Sequence, residues 1–147
     1  MKKEMLSANL EDYLETILAL EKIKKVARGK DIAERMGVLP GSVTGALKSL
    51  NKKGLINWEK YGYITLTEKG CAIAEEVTKR HNVFHAFLFN VLQVDEETAN
   101  TTACRMEHAM DAVSMEKFIS FMNYINSCKN GETSCVQSFA KYCEKEN

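Results

Sequence analysis

The sequence predicts a mainly α-helical protein with one small β-hairpin: an N-terminal winged helix-turn-helix followed by a second helical domain. Three observations lead to this fold class. Apolar residues recur at helical spacing along most of the chain. Gly37 and Pro40 separate two short helical patterns, and two β-prone runs then flank a glycine-containing turn. In a winged helix-turn-helix, helix, turn, helix and hairpin follow in this order, and the second helix of the motif enters the DNA major groove.

The first two helices are indicated by apolar spacing and by their end residues. Residues 8–25 carry leucines and isoleucines at near-helical spacing, and Ser7 before them is of a type that caps helix N-termini. Gly29 breaks this pattern. Residues 31–36 then predict a two-turn helix, and Gly37 stands where a left-handed C-terminal residue belongs.

The third helix and the hairpin come next. Pro40 is well placed in the first turn of a helix that ends near Gly54. Residues 55–59 and 63–67 are β-prone and enclose the turn at 60–62. We expect them to pair as the wing.

Three further helical patterns fill most of the second half, over residues 68 to about 92, about 94–110 and 114–126. The remainder, 128–147, is polar and holds three cysteines. We therefore predict a DNA-binding domain over residues 1–70, a helical dimerisation and metal-binding domain over 71–127, and a cysteine-containing C-terminal tail over 128–147.

Charge is divided unevenly along a chain whose formal net charge is zero. Residues 1–70 hold 13 Lys/Arg and 9 Asp/Glu, whereas residues 71–147 hold 7 and 11. A basic half joined to an acidic half favours a division of labour in which one part faces phosphate. Ordinary solvated charge is the alternative explanation.

Composition also limits the cellular setting. The 147 residues are 45% hydrophobic and 27% charged, which is typical of a globular protein and not of a disordered one. No signal-peptide core and no run of about 20 apolar residues is visible, so we expect a cytoplasmic protein without a membrane segment. Its five cysteines are then expected as thiols or metal ligands, not disulfides.

One cluster carries metal chemistry. Cys104, Glu107 and His108 stand at i, i+3 and i+4, so a helix places a thiol, a carboxylate and an imidazole on one face. Such a set is a natural transition-metal half-site.

Two further pairs share a helix face in the same way. His81 and His85 are spaced i and i+4, and Asp12 and Glu15 are spaced i and i+3. Each pair alone is more often a solvated or structural pair. Three such groups in one chain with a winged helix together make a metal-binding role more probable than any one of them does.

Several motifs, in this order, carry a resemblance to the DtxR/MntR family of metal-dependent transcriptional repressors over roughly residues 7–126. The motifs are Asn9-Leu-Glu-Asp-Tyr-Leu-Glu15, Asp31-Ile-Ala-Glu-Arg35, Ser42-Val-Thr44, Leu66-Thr-Glu-Lys-Gly70, Lys79-Arg-His81 and Ala103-Cys-Arg-Met-Glu-His108. The last is the most specific. The resemblance implies a homodimer that binds an operator in double-stranded DNA and represses metal-uptake genes when metal is bound.

The resemblance also implies a ligand set: Asp12, Glu15, His81, Cys104, Glu107 and His108. This set is a hybrid, because the two first-helix acids match manganese-type members and Cys104 matches iron-type members. His85 is a possible ancillary ligand, although its iron-type counterpart is a glutamate and Asn100 replaces a histidine. An SH3-like third domain, which longer members carry, is not expected.

DNA contacts are expected from the third helix, its partner helix and the wing. The residues concerned are Arg28, Lys30, Pro40, Ser42, Thr44, Lys48 and Lys60. Lysines and hydroxyls at such positions mostly touch phosphate, which positions the protein without reading sequence. Gly45 stands where relatives carry a long base-reading side chain, so more specificity is left to DNA shape. Helix capping and solvation remain the alternative for Ser42 and Thr44.

Because a thiolate joins the hard carboxylates, ligand softness favours Fe²⁺ over Mn²⁺. Co²⁺, Ni²⁺ or Zn²⁺ are possible substitutes in vitro.

Three alternatives to a metal-dependent repressor stay open. The chain could be a winged-helix regulator that responds to a small molecule or to a redox signal, or, less consistent with its motifs, a metalloenzyme. The tail could be unstructured, a docked helix or a further metal or redox site.

Overall fold

The computed structural model describes residues 5–59 and 62–147. Within these ranges the chain is mainly helical with a two-stranded wing, which confirms the predicted fold class. The described chain forms two compact units, one ending at Thr78 and the other spanning Lys79–Asn147. No helix in the described ranges is long and apolar enough to cross a lipid bilayer.

The first unit contains the winged helix-turn-helix. Its elements are α1 (Ala8–Lys24), α2 (Gly29–Met36), α3 (Pro40–Lys52), β1 (Ile56–Trp58), β2 (Ile64–Leu66) and the first turns of α4 (Glu68–Ala86). The strands pair antiparallel, with Asn57 opposite Thr65. Their buried faces join the helices in one core that includes Tyr13, Leu14 and Ile17 of α1. Burial of these apolar side chains is the main stabilising term of the unit.

The predicted helix ends agree closely with the structure. Ser7 caps α1 by accepting a hydrogen bond from the Leu10 N–H, Gly37 is left-handed after α2, and Pro40 begins α3. One prediction was wrong: Gly29 begins α2 and does not interrupt the helical pattern. The first helical pattern ends before Gly29, at Lys25, whose backbone is left-handed.

The second unit packs helices around Phe84, Leu88, Ala99, Ala103 and Met115. Its elements are the rest of α4, a π-helical turn (Phe87–Val91), α5 (Glu96–Ala109), α6 (Ala112–Ser127), β3 (Lys129–Asn130), β4 (Thr133–Ser134) and α7 (Cys135–Glu146). The sequence pattern continued the fourth helix to about residue 92, whereas its α-helical part ends at Ala86.

The C-terminal segment is ordered, and it corrects one expectation about the cysteines. Residues 129–134 form a short antiparallel hairpin, and α7 follows with a capping box between Ser134 and Gln137. Hairpin pairing brings Cys128 and Cys135 together, with Cα atoms 5.4 Å apart, and they form a disulfide. The expectation of five unpaired or metal-bound cysteines is therefore wrong for these two. Among the described cysteines, Cys71, Cys104 and Cys143 are not disulfide-bonded.

Candidate metal centre and DNA-contacting surface

Side chains from α4 and α5 converge in the second unit. His81 lies on α4, and Cys104 and Glu107 lie one turn apart near the end of α5. One ligand atom from each of the three lies within 4.8 Å of the others. The helical i, i+3 spacing aligns Cys104 with Glu107, and packing of α4 adds an imidazole that is distant in sequence.

Glu107 is the centre of this cluster. Its side chain is fully buried, yet both carboxylate oxygens have polar partners. Oε2 lies 2.7 Å from Nδ1 of His81, and Oε1 lies 3.2 Å from Nε2 of His108. The Cys104 thiol donates to Oε1 over 3.9 Å. A buried carboxylate needs such compensation, and here the compensating groups are themselves transition-metal ligand types.

His81 has a second polar partner on its outer side. Its Nε2 lies 2.8 Å from Oδ1 of Asn100, one turn before Cys104 on α5. The His81 imidazole therefore contacts the buried carboxylate of Glu107 with one nitrogen and the exposed side-chain amide of Asn100 with the other. Sequence reasoning noted Asn100 as a departure from the family pattern but did not assign it this contact.

Arg80 supports the end of α5 next to the cluster. Its guanidinium donates to the backbone carbonyls of Glu107 and Met110, each at 3.4 Å. The last carbonyls of a helix lack intrahelical donors, so a cation there satisfies them. Sequence reasoning missed this role, although Arg80 stands inside the Lys79-Arg-His81 motif.

His85 lies one turn beyond His81 and has its own contacts. Its Nε2 lies 2.9 Å from Oε1 of Glu96, and its ring stacks with those of His81 and Phe89. Among the described residues, His85 does not belong to a group of three converging metal-ligand atoms.

The other two predicted ligands, Asp12 and Glu15, lie on α1 in the first unit. Both are half-buried and one turn apart. The Asp12 carbonyl accepts a hydrogen bond from the Thr16 hydroxyl at 2.8 Å, a contact within the helix.

Most of the predicted DNA-contacting residues lie together in the first unit. They surround a cavity of about 940 Å³ between α2, α3 and the wing. The predicted residues that line it are Arg28, Lys30, Pro40, Thr44 and Lys48. Val43, Leu47 and Trp58 form part of its apolar wall. Cationic side chains around an apolar floor can hold a phosphate backbone while a helix approaches base edges.

Of the two predicted hydroxyl residues, Thr44 lines the cavity and Ser42 does not. Ser42 is exposed on α3 but does not line the cavity. The Thr44 hydroxyl donates to the Pro40 carbonyl at 3.2 Å, as helical threonines often do. Lys60 lies outside the residues that the structure describes.

Tyr63 is a wing residue that sequence reasoning did not select. The Arg28 guanidinium lies 5.1 Å from the centre of its ring and donates to its hydroxyl over 3.4 Å. This cation–π contact orients Arg28 at the edge of the cavity. Arg28 and Tyr63 are 35 residues apart, so no local sequence pattern predicts their contact.

Comparison with known protein families now identifies the chain. The N-terminal DNA-binding domain of iron-dependent repressors matches residues 5–64, and their metal-binding and dimerisation domain matches residues 67–135. The chain belongs to the DtxR/MntR family of metal-dependent transcriptional repressors. The predicted family, DNA-binding function and dependence on a divalent metal are thereby confirmed.

Individual DtxR/MntR relatives agree with this assignment. The HTH-type transcriptional regulator MntR of Bacillus subtilis is 32% identical over 143 residues, which cover 97% of this chain and 99% of the relative. An uncharacterised HTH-type regulator of Methanocaldococcus jannaschii is 36% identical over 118 residues, or 80% of this chain and 94% of the relative. The manganese regulator SloR superposes with a TM-score of 0.72 at 30% identity. That match covers 88% of this chain and 60% of SloR.

Proposed function

We propose that this family member represses metal-uptake genes as a homodimer, and that binding of Fe²⁺ or Mn²⁺ shifts the dimer toward its DNA-competent form. The buried carboxylate of Glu107 carries the proposal. It is surrounded by His81, Cys104 and His108, which all offer transition-metal ligand atoms. A divalent cation would replace their mutual contacts and compensate the buried charge.

The proposed ligand set has two parts. His81, Cys104, Glu107 and His108 supply imidazole, thiolate and carboxylate from α4 and α5. The family resemblance adds Asp12 and Glu15 of α1. The metal supplies positive charge and fixed coordination, while the protein residues determine which cation is held and which helices become restrained.

A bound metal ion can regulate operator binding because it restrains the helices that hold it and so shifts the population of dimer conformations. A dimer reads two half-sites, so the spacing of its two recognition helices decides whether both engage DNA. A metal ion that binds the competent arrangement more tightly than the others shifts the population toward it. We infer that α3, together with Arg28 and Lys48, then contacts the operator.

The decisive test is an operator titration with reduced, metal-free protein, with and without Fe²⁺ or Mn²⁺, under anaerobic conditions. We expect metal to tighten operator binding at least tenfold, which corresponds to about 1.4 kcal/mol of coupling. His108→Ala should abolish the gain. His85→Ala is the matched control, because that imidazole pairs with Glu96 outside the cluster, and it should retain the gain.

A redox-responsive regulator is the second candidate, and the Cys128–Cys135 disulfide favours it. The same titration discriminates between the two when it is repeated with metal-free protein in which the Cys128–Cys135 disulfide is kept oxidised. Metal-independent operator binding that changes when the disulfide is reduced would support redox control and contradict metal control. The role proposed for the cluster is regulatory binding, with no catalytic step.

A further inference from the structure

We propose that Asn100 is a positioning residue of the metal centre: its side-chain oxygen holds the Nε2–H of His81 and thereby presents Nδ1 to the metal. The inference rests on the proposed function and deepens it. It concerns the orientation of one ligand, and the ligand set itself is unchanged.

The geometry places the two imidazole nitrogens in different surroundings. Nδ1 of His81 faces the buried cluster, 2.7 Å from Oε2 of Glu107. Nε2 faces outward, 2.8 Å from Oδ1 of Asn100. Nδ1 is therefore the nitrogen that faces Glu107, which forms a group of converging ligand atoms with His81 and Cys104.

The chemistry of imidazole links these two contacts. A metal bound to Nδ1 uses the lone pair of that nitrogen, so the ring proton must be on Nε2. An amide oxygen accepts a hydrogen bond from Nε2–H and thereby fixes both the tautomer and the rotation of the ring. Without an acceptor, the ring could rotate and offer either nitrogen.

The position of Asn100 on α5 makes this orientation part of the helix that carries Cys104 and Glu107. Asn100 precedes Cys104 by one helical turn, so both side chains lie on one face. Packing of α4 against that face determines where His81 meets it. Outer partners of metal-bound histidines typically contribute 10–100-fold to affinity. Asn100 is exposed, and water competes for its contact, so we expect about tenfold, the lower end of that range.

The test measures binding of Zn²⁺ to the full chain by competition with a chelating indicator, together with ¹⁵N NMR of the histidine rings in the Zn²⁺-loaded protein. Zn²⁺ serves as a diamagnetic probe. In the unsubstituted chain we expect zinc on Nδ1 and a proton on Nε2 of His81. Asn100→Ala should weaken zinc binding about tenfold and mix the two ring orientations. Asn100→Asp keeps an acceptor and should restore both readouts.

Asn82→Ala is the matched control, because Asn82 is an exposed asparagine on α4 next to His81 in sequence. It should change neither readout. Thermal unfolding of each metal-free variant separates loss of orientation from loss of fold. Zinc on Nε2 in the unsubstituted chain, or an Asn100→Ala variant with unchanged affinity and ring signals, would overturn the inference alone. Failure of the unsubstituted chain to bind zinc, Fe²⁺ and Mn²⁺ would overturn the proposed function as well.

Discussion

In the proposed ligand set, Cys104 is the one soft donor among carboxylates and imidazoles. Its thiol lies beside the carboxylate of Glu107 and within 4.8 Å of the other ligand atoms of the cluster. Thiolate is softer than carboxylate, and softer ligands favour metals later in the divalent series. Cys104 is therefore the natural position at which to test metal preference.

We expect Cys104→Glu to shift the preference toward Mn²⁺, so that the ratio of Fe²⁺ to Mn²⁺ affinity falls by about tenfold or more, since a hard carboxylate replaces a soft thiolate. Anaerobic competition with a chelating indicator measures both affinities. Cys143→Ser, which removes a free thiol on α7, is the control and should leave the ratio unchanged. An unchanged ratio in Cys104→Glu would exclude the thiol as a metal ligand.

Gly70 is constrained by packing against the wing. A Cβ atom at this position would overlap the carbonyl oxygen of Leu55, which also accepts the Thr67 N–H. Because the obstacle is backbone, a side chain cannot rotate away from it. We expect Gly70→Ala to lower the free energy of unfolding by about 1–3 kcal/mol, measured by urea denaturation.

Gly45→Ala provides the comparison for Gly70. Gly45 lies on the exposed face of α3, where an added Cβ meets no atom within 4 Å. Alanine should there stabilise the helix by about 0.5–1 kcal/mol, because glycine loses more backbone entropy on folding. Equal effects of the two substitutions would contradict the packing explanation.

At the scale of elements, two helices of the second unit begin with aspartate caps. The carboxylate of Asp95 accepts the Thr98 N–H at the start of α5, and that of Asp111 accepts the Ser114 N–H at the start of α6. These backbone hydrogen bonds lower the pKa of each aspartate below its ordinary value of 3.8. A lowered pKa in the folded state stabilises the fold above the unfolded-state pKa, and this contribution is lost as pH falls through the folded-state pKa.

We expect the double variant Asp95→Asn, Asp111→Asn to lose less stability on acidification than the unsubstituted chain. Asparagine caps helices without a charge to protonate, so the two sites no longer contribute to the acid response. The comparison is the fall in melting temperature between pH 7 and pH 3 for the two metal-free proteins. A fall of the same size in both would show that these caps do not contribute to acid sensitivity.

Local signals predicted the elements of the first unit well. Ser7, Gly37 and Pro40 act at helix ends through their own backbone preferences, which are readable without tertiary structure. Helical spacing likewise aligned Cys104 with Glu107. By contrast, the contacts of His81 with Asn100 and of Arg28 with Tyr63 join residues 19 and 35 positions apart. Such contacts depend on how elements pack, and no local pattern predicts them.

At the scale of the whole molecule, function is divided between the two units. The cationic cavity is formed by the first unit, and the buried Glu107 cluster is formed by the second. This division follows the uneven charge of the sequence, in which the first half is basic and the second acidic. A positive surface suits the DNA backbone, whereas an acidic unit does not compete for it.

The C-terminal segment adds a covalent constraint, which ends at the same residue, 135, as the match to the metal-binding and dimerisation domain. The Cys128–Cys135 disulfide closes the hairpin between α6 and α7, and α7 packs against α6 and the π-helical turn at Phe87–Val91. Closing a loop of eight residues restricts the unfolded chain and stabilises the closed segment by about 2–3 kcal/mol. The hairpin also has its own strand pairing and α7 has its own capping box, and neither of these uses the S–S bond.

We therefore expect reduction with a dithiol, which converts the disulfide to two thiols and oxidises the reductant, to loosen α7 locally while the rest of the second unit stays folded. Amide hydrogen exchange should speed up in residues 135–146 and remain slow in α5. Cys128→Ser with Cys135→Ser should reproduce the effect and be insensitive to reductant, whereas Cys143→Ser should behave like the unsubstituted chain. If α7 exchanges equally slowly in all these proteins, packing on the π-helical turn holds it without the disulfide. In that case the redox alternative loses its structural support.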